Sequence, residues 1–205
     1  MRYLLLSSCL LIFIGCTSSY KHLQQIEGDA SCLEKFKPRF TTTIYTTQVN
    51  VIGKYLSGLL LIKTMSDKST RMVFSSEMGL TFFDFEFSPK GDFKVHYIIK
   101  RMNRKAVIKT LRQDFELVLM KQLNTQTPLV LRKEDRNYYA FPTKKGSNYY
   151  ITDSGCQTLL GIEKASTKKA VVKAIMSGYE AGIPDSIGIS HTNFQFTIGL
   201  KRLKR

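Results

Sequence analysis

The sequence predicts an α+β protein: a long antiparallel sheet with one helix inserted part-way along the chain, covering one face of the sheet. Three observations predict it. From Phe40 to Ser88, β-branched and aromatic residues alternate with polar ones at a period of two. Between Arg104 and Leu123 the apolar period lengthens to nearly four. After Pro128 strand texture returns and runs to Leu203.

The chain opens with Arg2, an apolar run from Leu4 to Ile14, and Gly15 directly before Cys16. A charge, a greasy stretch and a small residue in that order make a secretory signal. The run is shorter than the about 20 apolar residues that a bilayer core demands, and no stop-transfer pattern follows Thr17, Ser18 and Ser19. Residues 1–15 are therefore expected to be removed. Phe13-Ile14-Gly15-Cys16 resembles the bacterial lipoprotein signal, in which a small residue precedes a cysteine that receives a diacylglycerol, is acylated again, and becomes the mature N-terminus. That family usually has Leu where Phe13 stands and a small residue in place of Ile14. The resemblance implies lipidation of Cys16, with acyl chains that hold the protein at a bilayer at roughly 0.8 kcal/mol per buried methylene. Because Thr17 is not Asp, it also implies the outer membrane as the address. The alternative is a plain signal peptide with an incidental cysteine.

Residues 16–36 read as anchor, tether and a short N-terminal helix, and residues 37–205 as a single domain with a sizeable core. Thr42, Ile44 and Thr46 alternate with Thr41, Thr43 and Tyr45, which predicts the first strand. Tyr55 to Met65, Arg71 to Ser76 and Thr81 to Ser88 are further strands, bounded by Ser66-Asp67-Lys68-Ser69, Glu77-Met78-Gly79 and Pro89-Lys90-Gly91-Asp92. In the last of these Phe83, Phe85 and Phe87 share one face, opposite Asp84, Glu86 and Ser88. Val107, Leu111, Phe115, Val118 and Leu119 make the apolar face of the helix, with Asn103 as its expected N-cap. Asn137 to Phe141, Asn148 to Thr152, Gln157 to Lys164 and Asn193 to Leu203 read as strands, and Lys144-Lys145-Gly146-Ser147 as a hairpin turn. Lys168 to Ser177 fits either a strand or a helix.

The net charge is +15 and the pI about 9.7. In an exported, tethered protein the available polyanions are lipid headgroups rather than nucleic acid, so attraction to a membrane surface is one meaning of the charge, and ordinary solvation of 31 Lys and Arg is the other. Once Cys9 leaves with the signal and Cys16 is lipidated, Cys32 and Cys156 remain in an oxidising compartment, either as a disulfide or as two separate thiols. His22, His96 and His191 are scattered singly. There is no His-Glu-x-x-His helix, Gly-x-Ser-x-Gly elbow, phosphate-cradling glycine loop or Cys-x-x-Cys pair. No catalytic residue, metal ligand or cofactor is therefore expected, and an enzyme would need a site assembled from distant positions, such as His191 near Asp185 or Asp153 beside Tyr149 and Tyr150.

Gly58-Leu59-Leu60-Leu61-Ile62, Arg71 to Ser76 running into Met78-Gly79 and Phe82 to Phe87, and Ile183-Pro184-Asp185-Ser186-Ile187 followed by Phe194 to Leu203 together resemble the periplasmic lipoprotein-carrier superfamily. This is the superfamily of the lipoprotein localisation factors LolA and LolB, and the likeness is to its outer-membrane lipoprotein branch. The resemblance implies a strongly curved antiparallel sheet, an incomplete β-barrel, whose apolar concave face is covered by one or more helices. It implies a non-enzymatic, outer-membrane-anchored lipoprotein facing the periplasm, whose apolar cavity binds lipid or accepts lipidated cargo. Phe83, Phe85, Phe87, Tyr97 and Phe115 are the candidates to line a groove for acyl chains; the alternative is that they close a filled core, leaving an envelope interaction or scaffold lipoprotein without a ligand. Met78 and Leu80 are candidates for a loop that touches membrane or cargo, or else they pack in the core.

Overall fold

Thirteen strands pair edge to edge in one antiparallel sheet among the described residues of the computed structural model, 19–204. Cys16 and residues 1–15, read from the sequence as a signal, lie outside these residues. In chain order the strands are β1 (Gln24–Gln25), β2 (Thr42–Val51), β3 (Lys54–Thr64), β4 (Thr70–Ser75), β5 (Thr81–Phe87) and β6 (Phe93–Ile98). After the helix α1 (Lys105–Val118) come β7 (Leu129–Lys133), β8 (Arg136–Thr143), β9 (Gly146–Asp153), β10 (Leu159–Ala165), β11 (Ala170–Ser177), β12 (Ser186–His191) and β13 (Phe196–Arg202). The spatial order is β1-β7-β8-β9-β10-β11-β12-β13-β2-β3-β4-β5-β6. The last strand returns to pair with β2, so the two halves of the chain meet in the centre of the sheet, while β1 and β6 end it without pairing with each other. The barrel is therefore incomplete. No helix among the described residues is long and apolar enough to cross a membrane.

Side-chain alternation sets the two faces. In β2, Thr43, Tyr45 and Thr47 are buried while Thr42, Thr46 and Gln48 are exposed, the period of two expected of a sheet with one wet face. One contiguous apolar core takes residues from β2 to β13 and from α1, including Tyr45, Leu60, Phe74, Phe85, Phe115, Tyr150, Ile162 and Ile198. The sheet wraps around that core and α1 lies against it through Leu111, Phe115, Leu117 and Val118.

Several expectations change. The helix ends at Val118 rather than Leu123, because Met120 adopts left-handed backbone (φ 51°) and a 3-10 turn, Lys121–Asn124, follows. Its N-cap is Arg104, with no side-chain cap; Asn103 instead closes the preceding 3-10 turn. Lys168 to Ser177 is strand, as β11. β6, β7 and β12 are strands where none was expected. In place of an N-terminal helix there is one 3-10 turn, Ser31–Lys35, preceded by β1, which pairs with β7. Leu33 in that turn is fully buried, and Cys32 is joined to Cys156 by a disulfide. Residues 24–36 thus belong to the sheet domain and are not a separate tether.

Candidate functional site

The densest aromatic packing lies where β4, β5 and β6 face α1. Phe83 stacks on Phe85 with ring centres 4.3 Å apart, and Phe74 stands 5.7 Å from Phe83. Phe93 on β6 meets Phe85 at 5.2 Å and Phe87 at 5.1 Å. From the helix, Phe115 reaches Phe83 at 5.8 Å and Phe87 at 6.5 Å. These separations are those of offset and edge-to-face ring pairs. The cluster forms because β5 puts every second residue inward and β4 supplies Met72 and Phe74 in register with Phe85 and Phe83. Of the five groove candidates, Phe83, Phe85, Phe87 and Phe115 come together here and are buried.

Tyr97 does not join them. A bulge between Asp84 and Phe85 pairs Tyr97 with Asp84 and Val95 with Phe85, which turns the tyrosine to the outward face, 47% exposed. It is removed from the candidate groove for that reason. Met78 and Leu80 sit in the β4–β5 turn, 97% and 50% exposed, so the core alternative does not hold for either. Their turn is closed by Ser76, which accepts at its carbonyl from Gly79 and donates its own N–H to the Leu80 carbonyl.

α1 is fastened over the concave face by polar contacts that the sequence did not suggest. The Asp114 carboxylate lies 2.8 Å from the His191 ring at the end of β12, and both side chains are almost wholly buried. Lys164 on β10 donates to Gln113 at 2.5 Å, and the Tyr150 hydroxyl donates to the Leu117 carbonyl at 3.1 Å. Beyond the helix, Asn148 donates to Gln122 at 2.6 Å and Lys121 to the Ser88 carbonyl at 3.3 Å. Burial pushes the Asp114 carboxyl up, against the downward pull of the His191 hydrogen bond and of the charges on His191 and Lys164. It also pushes the Lys121 and Lys164 ammonium groups down. The signal for Asp114 was present: a carboxylate three residues after Leu111 and three before Leu117 stands on the apolar stripe, where a charge requires a partner.

The sites imagined for an enzyme dissolve. Asp185 pairs with Arg202 and with Lys204 at 3.1 Å, not with His191. Asp153 accepts from the backbone N–H groups of Gln157 and Thr158, as a turn former does. The His191–Asp114 pair is walled by the rings of Phe194 and Phe196, at 4.7 and 5.0 Å. His96 pairs with Glu86 at 2.6 Å on the outward face. Among the described residues no group of three or more His, Cys, Asp or Glu is placed to hold a metal ion. An open hollow of about 530 Å³ lies on the outward face of the central strands, over the paired Gly188 and Gly199 and beside Tyr55 and Ile175.

No family model matches the chain, and no curated protein does. Several solved structures are similar to it, among them the following two. One is a DUF1329 family protein from Desulfovibrio piger, 11% identical, with a TM-score of 0.48 over 84% of this chain and 88% of that one. The other is a domain from Vibrio parahaemolyticus whose description names outer membrane lipoprotein sorting, 7% identical, with a TM-score of 0.45 over 83% of this chain and 87% of that one. Likeness at this level assigns neither ligand nor activity.

Proposed function

We propose that this protein is a lipoprotein of the cell envelope, held at the outer membrane on its periplasmic side by acyl chains on Cys16. It binds lipid, or the acyl chains of lipidated cargo, without catalysing a reaction. The observation that carries the reading is the position of the aromatic cluster. Phe83, Phe85, Phe87, Phe93 and Phe115 lie beside β6, the free edge of an unclosed sheet, with a single helix as their cover. An acyl chain entering between β6 and α1 breaks no strand pairing. It exchanges ring-to-ring burial for ring-to-methylene burial at a similar roughly 25 cal/mol per Å². The exposed Met78 and Leu80, at the turn between β4 and β5, supply an apolar contact to bilayer or cargo.

A second reading is favoured by the same rings: they are packed against one another and buried, as in a filled core, and a scaffold lipoprotein would need no more. Native mass spectrometry of the full chain extracted from membranes separates the two. A carrier retains an acyl lipid in addition to the covalent chains on Cys16 and takes up a fluorescent fatty acid. A chain that does neither is a filled-core interaction protein.

A further inference from the structure

Charge is divided between the two ends of the strands. The hairpins β8–β9, β10–β11, β12–β13 and β2–β3 turn at the same edge of the sheet, as the pairs Ser147 with Ala165, Val172 with His191 and Phe196 with Val51 require. Their turns carry Lys144 and Lys145, Lys168 and Lys169, Phe194, and Ile52, and no Asp or Glu; the β4–β5 turn at the same edge carries Glu77 with Met78 and Leu80. The opposite edge carries Asp67, Asp92, Glu134, Asp135, Glu180 and Asp185 in its turns and Asp153 at the end of β9, against Lys68 and Lys90 in the same turns, so the acidic residues prevail there. With strands about 4.8 Å apart, four neighbouring hairpins occupy roughly 30 Å of edge. The four lysines are exposed and fill two neighbouring turns, and the apolar tips Phe194 and Ile52 fill the next two along that edge.

Ile52 is the second observation. With Gly53 it makes a two-residue turn in which both residues have positive φ, 48° and 72°, a geometry that favours Asn, Asp or Gly and strains a β-branched side chain. Nothing inside the protein repays the strain, because Ile52 is 73% exposed. Phe194, at the next hairpin, is 40% exposed. The third is the path of the chain. Ser19, the first described residue, donates its N–H to the Lys168 carbonyl at 3.0 Å. Cys16 lies three residues earlier, within about 10 Å of extended chain.

From these we infer that the edge bearing Ile52, Phe194, Lys144, Lys145, Lys168 and Lys169 docks on an anionic phospholipid bilayer. The lysines approach headgroups while Ile52 and Phe194 enter the interface beside them. It rests on the reading above for the anchor alone. The acyl chains on Cys16 deliver this edge, and not the acidic one, to the surface.

Hydrogen exchange of the full chain on vesicles tests it. On vesicles containing phosphatidylglycerol, amides of residues 52–55, 143–146, 166–169 and 192–195 exchange about tenfold or more slowly than on phosphatidylcholine vesicles. Those of the acidic edge, 65–69 and 88–92, do not change. Replacing Lys144, Lys145, Lys168 and Lys169 by Glu abolishes the difference. Ile52→Asn moves two readouts in opposite directions, raising the melting temperature and reducing the protection, which a purely structural Ile52 does not do. Equal exchange on both vesicles, or protection at the acidic edge, overturns the inference. Failure of the anchor has its own signature: the chain does not float with phosphatidylcholine vesicles, while edge protection is still read on the anionic ones.

Discussion

The carboxylate of Asp114 and the ring of His191, 77 residues apart in sequence, meet 2.8 Å apart beneath α1, the former 1% and the latter 7% exposed. This pair ties the only α-helix among the described residues to the end of β12. Because burial holds the Asp114 carboxyl above its usual range, the folded chain binds this proton more tightly than the unfolded chain. The contribution of Asp114 to stability is therefore fullest below about pH 3.9 and declines as pH rises through the window above it. Asp114→Asn keeps a hydrogen-bonding partner for the imidazole and removes the titration. The variant's melting temperature, relative to the parent, is expected to be higher at pH 7 than at pH 4. Parallel melting curves at the two pH values count against this account.

The Cys32–Cys156 disulfide spans 124 residues and fastens the segment that carries β1 to the far end of the β9–β10 turn. Loop-closure entropy for a crosslink of this span is worth up to about 5 kcal/mol, with about 2–4 typical. The double variant Cys32→Ser, Cys156→Ser is expected to lose about 5–15 °C in melting temperature. Hydrogen exchange should accelerate first at residues 24–36, because β1 is a two-residue edge strand with β7 as its single partner. Uniform acceleration through the whole sheet would show that the crosslink acts elsewhere.

What the sequence disclosed followed local periodicity. Phe83, Phe85 and Phe87 announced their face because polar residues separate them in a regular strand, and α1 announced its stripe in the same way. β12 was hidden because Gly188, which faces Gly199 across the strands, supplies no side-chain texture at its centre. β6 alternates as Phe93, Val95 and Lys94, His96, until the bulge against Asp84 turns Tyr97 outward. A bulge is set by the partner strand, so no local pattern carries it. Asn103 is a good capping residue by type, yet the 3-10 turn Lys100–Met102 consumes it one residue early. The fastening of Asp114 to His191, and the gathering of Lys144, Lys145, Lys168 and Lys169 at one edge, appear once strand order is known, because both join residues that are distant along the chain.

Buried and exposed apolar residues should respond differently to substitution. Phe115→Ala leaves a void among Phe83, Phe87 and the helix and is expected to cost about 3–5 kcal/mol by denaturant unfolding. Met78→Asp with Leu80→Asp changes two side chains at an exposed turn tip and is expected to stay within about 0.5 kcal/mol per site, while reducing contact with membrane or cargo. A large destabilisation from the Met78 and Leu80 pair would mean that the turn is packed against something else in the assembled protein.

The position of that turn depends on Gly58. A Cβ added at Gly58 would lie 2.0 Å from the Ser75 carbonyl oxygen and 3.0 Å from the Ser76 Cα, so β4 must move away for any side chain to fit. Because the offending atoms are backbone, the strand cannot yield by a rotamer change. Gly58→Ala is expected to cost about 1–3 kcal/mol and to displace the β4–β5 turn with Met78 and Leu80. Gly79, in the same turn at φ 84°, has nothing within 4 Å of its added Cβ. Gly79→Ala therefore meets only the left-handed backbone penalty, about 1–2 kcal/mol, with no displacement of β4. Chemical shifts of the Ser75 and Ser76 amides distinguish the two substitutions: they move for Gly58→Ala and stay for Gly79→Ala. The reverse order would place the constraint on the turn's own conformation rather than on the close approach of β3 and β4.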